Sequence, residues 1–156
     1  MPDYLLGLDA GNTVIKAVLF DAANGRELAV SARDGHAKLP APGHVERDLG
    51  ELWSNAVGVI VECIERAGID PASIRGIGCA GHGNGLYALD RQGAPLIGIQ
   101  SLDTRGSDLV AEWASGDVGE RAYPISRQKP WSAQTPTLLA WVKRHHPDPY
   151  AKIGTV

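Results

Sequence analysis

Three short apolar runs, parted by turn signals, precede one long amphipathic stretch and a fourth apolar run. This order is the strongest constraint on what the chain can fold into. Tyr4 to Leu8 reads as a strand apolar enough to be buried on both faces, ending at Asp9. Val14 to Phe20 is a second strand, interrupted only by Lys16. Between them, Asp9-Ala10-Gly11-Asn12-Thr13 is a tight connection, because Gly11 and Asn12 tolerate positive φ. Asn24-Gly25 leads to a third strand, Glu27 to Ala32, so the three are expected to pair antiparallel in succession. His36 to His44, with Pro40 and Pro42, reads as a loop. Asp48 and Glu51 mark a capped helix start. Leu49, Leu52, Trp53, Ala56, Val57, Ile60, Val61 and Ile64 then recur at three- and four-residue steps as one apolar stripe, stopped by Gly68. Gly58 weakens that helix but suits close packing on a sheet. Ile74 to Cys79 is the fourth strand.

Three antiparallel strands followed by a helix crossing to a parallel strand open a ribonuclease-H-like core. The expected fold class is therefore α/β, with a mixed sheet and flanking helices, and incomplete, because further strand–helix pairs of such a core are not visible. Leu86 to Leu89 and Pro95 to Ile99, around Asp90-Arg91-Gln92-Gly93, read as a hairpin. A helix is expected from about Asp103 to Trp113, then a loop containing Pro124 and Pro130. Thr135-Pro136 opens a last helix to about His145, with Thr as N-cap, and a bare end follows.

Composition excludes several function classes. Hydrophobic residues are 44% and charged residues 21% of 156, enough for a real core in one domain. Fifteen Lys+Arg against 18 Asp+Glu leave a net charge of −3, which attracts neither nucleic acid nor an anionic membrane surface. No apolar run approaches the roughly 18 residues of a membrane span. Met1-Pro2-Asp3 is no secretory signal, so a cytoplasmic protein is expected. Cys63 and Cys79 read as buried free thiols. Gly76-x-Gly78-x-x-Gly81 matches a dinucleotide fingerprint but lies within the fourth strand and precedes a hairpin, so it lacks the helix N-terminus that binds pyrophosphate.

The chemistry-bearing residues begin with Asp9. A carboxylate at a strand end can orient Mg²⁺ through water, and the turn after it offers backbone N–H groups and the Thr13 hydroxyl to phosphate oxygens. Lys16 adds positive charge. The same composition also suits a plain hairpin turn. Asn84, in Gly81-His82-Gly83-Asn84-Gly85, can both donate to and accept from hydroxyl groups. Asp103 suits a helix start with or without a ligand, and His145 and His146 suit a helix end.

Leu8 to Lys16 resembles the first phosphate motif of the actin/hexokinase/Hsp70-like ATPase superfamily, to which sugar kinases belong. Gly43-His44-Val45-Glu46-Arg47-Asp48 with Trp53 resembles the stretch before the first helix of FGGY carbohydrate kinases. Gly81 to Gly85 with Leu89-Asp90 resembles their sugar segment, Leu102-Asp103-Thr104-Arg105 their Asp-x-Arg motif, and Thr137 to Pro147 the helix that follows. The matches run in family order over almost the whole chain. The resemblance implies an N-terminal FGGY sugar-kinase domain over residues 1–156, without the C-terminal ATP-binding domain. It implies that ATP and Mg²⁺ are the cofactors, with Asp9, Gly11, Asn12, Thr13 and Lys16 around the phosphates and Asp9 reaching the metal through water. It implies a substrate site of His82, Gly83, Asn84, Asp103 and Trp131, with Arg105 as an orienting partner. The general-base Asp of the family lies downstream of the matched segments, so this chain alone is expected to be inactive.

Ser101 stands where many members carry an aromatic residue; the resemblance puts Trp131 in a loop that approaches the sugar, where it could replace that wall, and the residue equally suits a half-buried structural Trp. The Met-His and Arg-Glu pairs typical of D-xylulose and glycerol kinases are missing. These departures resemble the branch acting on L-xylulose, keto-gulonate or erythritol-type substrates. The implied activity of the longer protein is ATP-dependent phosphorylation of a small sugar or polyol, with no nucleic acid or membrane partner and with a homodimer allowed. The alternatives are a non-catalytic carbohydrate-binding or regulatory module of the same fold, and a ribonuclease-H-like nuclease using Asp9 for metal.

Overall fold

The computed structural model describes residues 2–156. Its first sheet follows the apolar runs closely. Strands β1 (Tyr4–Ala10), β2 (Val14–Asp21) and β3 (Glu27–Asp34) pair antiparallel in succession, as the turn signals predict. Short strands β4 (Ala37–Lys38) and β5 (Glu46–Arg47) interrupt the expected loop, and helix α1 (Leu49–Ala67) follows. A short 3-10 turn over Pro71–Ser73, capped by Asp70, delivers the chain to β6 (Ile74–Gly81). This strand lies parallel to β1, giving the order β3-β2-β1-β6. The glycines of the false dinucleotide fingerprint are inside β6.

The core of this sheet is Leu6, Ile15, Ala17 and Leu19 against Ala56, Val59 and Cys63 of α1. Three expectations are corrected here, for β1, for α1 and for Cys79. β1 buries only Leu6 fully and leaves Leu5 45% exposed, so it is not buried on both faces. The expected stripe on α1 is also too broad: Trp53 is 71% exposed, and Val57 and Val61 are exposed with it. Those three follow one another every four residues along a different line of the helix from Ala56, Val59 and Cys63. Cys79 is exposed, whereas the buried Cys63 thiol donates to the Ala17 carbonyl at 3.1 Å and its pKa is pushed up by burial.

The second sheet holds β7 (Leu86–Asp90), β8 (Pro95–Ile99) and β9 (Ile153–Thr155), in the order β4-β5-β8-β7-β9. Helices α2 (Ser107–Ser115), α3 (Val118–Ser126), α4 (Thr135–His145) and α5 (Pro147–Lys152) complete the chain. Its core joins Leu86 and Ile99 to Ala133, Leu138 and Val142. Where a bare end was expected, β9 pairs with β7; α3 spans the expected Pro124 loop. Thr135 is not the N-cap of α4. Gln134 takes that place, and the Thr135 hydroxyl donates to the Gly85 carbonyl instead.

The described chain divides into two compact units. One holds residues up to Ala37 with Gly50–His82; the other holds Lys38–Leu49 with Gly83–Val156. No described helix is long and apolar enough to cross a membrane.

Candidate functional site

β1 runs on to Ala10 and β2 begins at Val14, so the first connection shrinks to Gly11-Asn12-Thr13. Asp9 is therefore a strand residue, directly opposite Lys16. Opposed residues of an antiparallel pair share a face, and both side chains are exposed. Among the described residues neither makes a hydrogen bond or ion pair. One face of the hairpin mouth thus presents an available carboxylate beside an available ammonium. Gly11 plays a geometric part: its N–H closes the turn on the Val14 carbonyl at 3.1 Å. A Cβ there would lie 2.9 Å from that same oxygen. The Gly11 N–H is thus engaged within the turn, and the donor the turn presents openly is the exposed Thr13. Asn12 beside it is half-buried.

At the end of β6, His82 Nδ1 lies 3.2 Å from the Ala10 carbonyl. A carbonyl only accepts, so this contact places the proton on Nδ1 and ties β6 to the end of β1. His82 is in the first unit with Asp9, while Gly83 and Asn84 belong to the second.

In the second unit, Gly85 fixes the backbone behind Asn84. Its φ of +104° is one that side chains resist, and a Cβ would lie 2.5 Å from the Ile99 carbonyl. Its N–H donates to the Ala133 carbonyl at 2.9 Å, and its carbonyl accepts from Thr135 at 2.7 Å. The glycine-rich segment is thereby tied to the loop carrying Trp131, which is 38% exposed. Gly83 is exposed and Asn84 half-buried.

Asp103 is enclosed and held by protein partners. Its side chain has no exposed surface. It accepts from the Val45 N–H at 2.6 Å and the Arg105 N–H at 2.8 Å, and it receives the Arg105 Nε and Nη2 at 2.9 Å. Arg105 also reaches Glu46 at 2.8 Å and stands 5.1 Å over the Trp141 ring. The two sequence motifs of residues 43–48 and 102–105 are thus one assembly, clasped again by the Thr104 N–H on the Gly43 carbonyl at 2.8 Å. The salt bridge expected of Arg105 is the one to Asp103. Sequence reading missed Glu46 as its second partner. The signal was Gly43, whose φ of +76° lets the chain turn against Thr104.

Among the described residues no group of three or more His, Cys, Asp or Glu can hold a metal ion. A single exposed carboxylate such as Asp9 fits a hydrated Mg²⁺ rather than a protein-caged one.

The sequence matches the model of the FGGY family of carbohydrate kinases, N-terminal domain, over residues 4–156. The chain belongs to that family. It is similar to the L-xylulose/3-keto-L-gulonate kinase of Escherichia coli (strain K12), with 40% identity over all of this chain and 31% of that protein. It is 34% identical to the autoinducer-2 kinase of Klebsiella pneumoniae over 98% of this chain and 29% of that one. Among solved structures, the xylulose kinase from Rhodospirillum rubrum superposes with a TM-score of 0.86 at 29% identity, covering 97% of this chain and 31% of that chain. The expected α/β fold of the actin and hexokinase class stands. The chain spans about a third of the length of these relatives.

Proposed function

We propose that this chain is the amino-terminal part of a cytoplasmic kinase that phosphorylates a hydroxyl of a small ketopentose or polyol with ATP. The observation that carries the reading is the pair at the hairpin mouth: Asp9 and Lys16 lie opposite each other, exposed and without partners among the described residues, in a chain of a kinase family. Bound Mg²⁺ would supply neutralisation of the charge that develops on a transferring phosphoryl group. Asp9 would orient the hydrated ion, and Lys16 with the Thr13 N–H and hydroxyl would hold phosphate oxygens. Gly11 and Asn12 would give the turn its shape.

On the sugar side, Asn84 would exchange hydrogen bonds with hydroxyls, with Gly83 leaving room beside it and Trp131 offering an apolar face. His82 and Asp103 are assigned positioning roles, because their hydrogen bonds hold protein segments together. The relatives named for L-xylulose and 3-keto-L-gulonate support the substrate class. The general base would come from a part of the protein other than these residues.

A coupled ADP-release assay on the full-length protein, with L-xylulose, 3-keto-L-gulonate and erythritol, tests this. Turnover of at least one is expected. Asp9→Asn should lower kcat by about a hundredfold, a typical loss for one electrostatic contributor, and Asn84→Ala should chiefly raise KM. Sugar binding by calorimetry without turnover would favour a non-catalytic module instead.

A further inference from the structure

The second unit holds a cavity of about 370 Å³ beside β8 that neither the phosphate turn nor the sugar segment uses. That volume is at the small end of the range for metabolite pockets, roughly 300–1,000 Å³. Its charged lining is Lys38, Arg47 and Arg105 with Glu46 and Asp48, beside the His146 ring, and its floor is apolar, from β8 and Val142. Three fixed cations thus face two carboxylates, and both carboxylates are bridged: Glu46 to Arg105 at 2.8 Å and Asp48 to Lys38 at 2.9 Å.

Two of these cations are built into the fold. Arg47 is 4% exposed, and the Arg105 side chain is likewise 4% exposed. Arg105 is held by Nε and Nη2 on Asp103 and Glu46, and its Nη1 makes no hydrogen bond yet is not enclosed. A guanidinium ordered in advance loses little entropy on taking an oxyanion, and its fork suits phosphate. The carboxylates of Glu46 and Asp48 would repel a second anionic centre but accept hydrogen bonds from hydroxyls. One anionic end and a hydroxylated remainder satisfy both halves of the lining.

We propose that this cavity binds a small phosphate monoester carrying hydroxyl groups, its phosphate on Arg47, Arg105 Nη1 and Lys38 and its hydroxyls on Glu46 and Asp48. The site stands on its own residues and does not depend on the kinase reading.

Calorimetry and NMR of the full chain with glycerol 3-phosphate, inorganic phosphate and glycerol test it. Glycerol 3-phosphate should bind and shift the Arg47 and Arg105 Nε–H resonances, with inorganic phosphate several-fold weaker and glycerol silent. Arg47→Gln and Lys38→Gln should each weaken binding roughly tenfold or more, the usual loss for a charge-assisted contact. If Arg47→Gln fails to fold by circular dichroism, the exposed Lys38→Gln decides the matter. Asp9→Asn should leave binding unchanged. Binding of glycerol 3-phosphate that survives Lys38→Gln, or that vanishes in Asp9→Asn, overturns the proposal. So does inorganic phosphate binding as tightly as the ester.

Discussion

Asp103 gathers two backbone N–H groups and a guanidinium around a carboxylate with no exposed surface. Removing one partner of such a buried pair strands the other, at about 3–5 kcal/mol. Asp103→Ala is therefore expected to lose about that much stability in urea denaturation, because Arg105 keeps only Glu46. If Asp103 instead gripped the sugar, the conservative Asp103→Asn would leave the urea midpoint in place and raise KM alone. The residue type was legible in the sequence, since Asp-x-Arg announces a pair. Its burial was not, because the third partner is the Val45 N–H, 58 residues earlier. Asp9 shows the opposite case. Its place beside Lys16 follows from strand alternation across a short turn, and that is local information. The engagement of the Gly11 N–H depends on how far β1 runs, which apolar content leaves open by two residues.

At the scale of elements, long periodic segments were readable and short ones were not. β4, β5 and β9 have two or three residues each; β5 pairs with β8 and β9 with β7, both far along the chain, and β4 pairs only with β5. The ends of α1 lie within a residue of the expected ones, but the expected stripe is too broad, since Leu52, Ala56 and Ile60 pack on the sheet while Trp53, Val57 and Val61 do not. So many of its residues are apolar that several lines along it look alike, and the sheet selects the one through Ala56, Val59 and Cys63. Gly58 explains itself only in the fold. A Cβ there would land on the Arg33 guanidinium, which is held by Glu62 on the same helix. Gly to Ala within a helix ordinarily gains up to about 1 kcal/mol. Here Gly58→Ala should gain nothing or destabilise, by displacing Arg33 from Glu62. In an Arg33→Ala background the same change should stabilise by about 0.5–1 kcal/mol. Thermal melts of the four variants measure the coupling; additive effects would show that Arg33 does not occupy the space over Gly58.

For the whole molecule, the titrating groups set a pH window. Glu62 is held below the usual carboxylate range by hydrogen bonds from Ser31 and Arg33, and Glu112 by Arg144. A carboxylate depressed in the folded state adds stability that is fully present above its unfolded pKa and lost as pH falls through the folded one. Tyr87 moves the other way: burial pushes its phenol up to about 12, against a smaller opposing pull from Arg47. Burial raises Cys63 as well. Groups raised in this way add stability that is full below their unfolded pKa and lost as pH climbs through the folded value. The melting temperature is thus expected to be level from about pH 5 to about pH 9 and to fall on both sides. The two limbs have separate authors. Glu62→Gln with Glu112→Gln should flatten the acid limb and leave the alkaline one alone. Tyr87→Phe should shallow the fall between about pH 10 and 12 without touching the acid side. These paired melts check that the ion pairs of α1 and α2 and the half-buried phenol of β7 persist in solution. An acid limb that keeps its slope in the double Gln variant would place the decisive carboxylates elsewhere than Glu62 and Glu112.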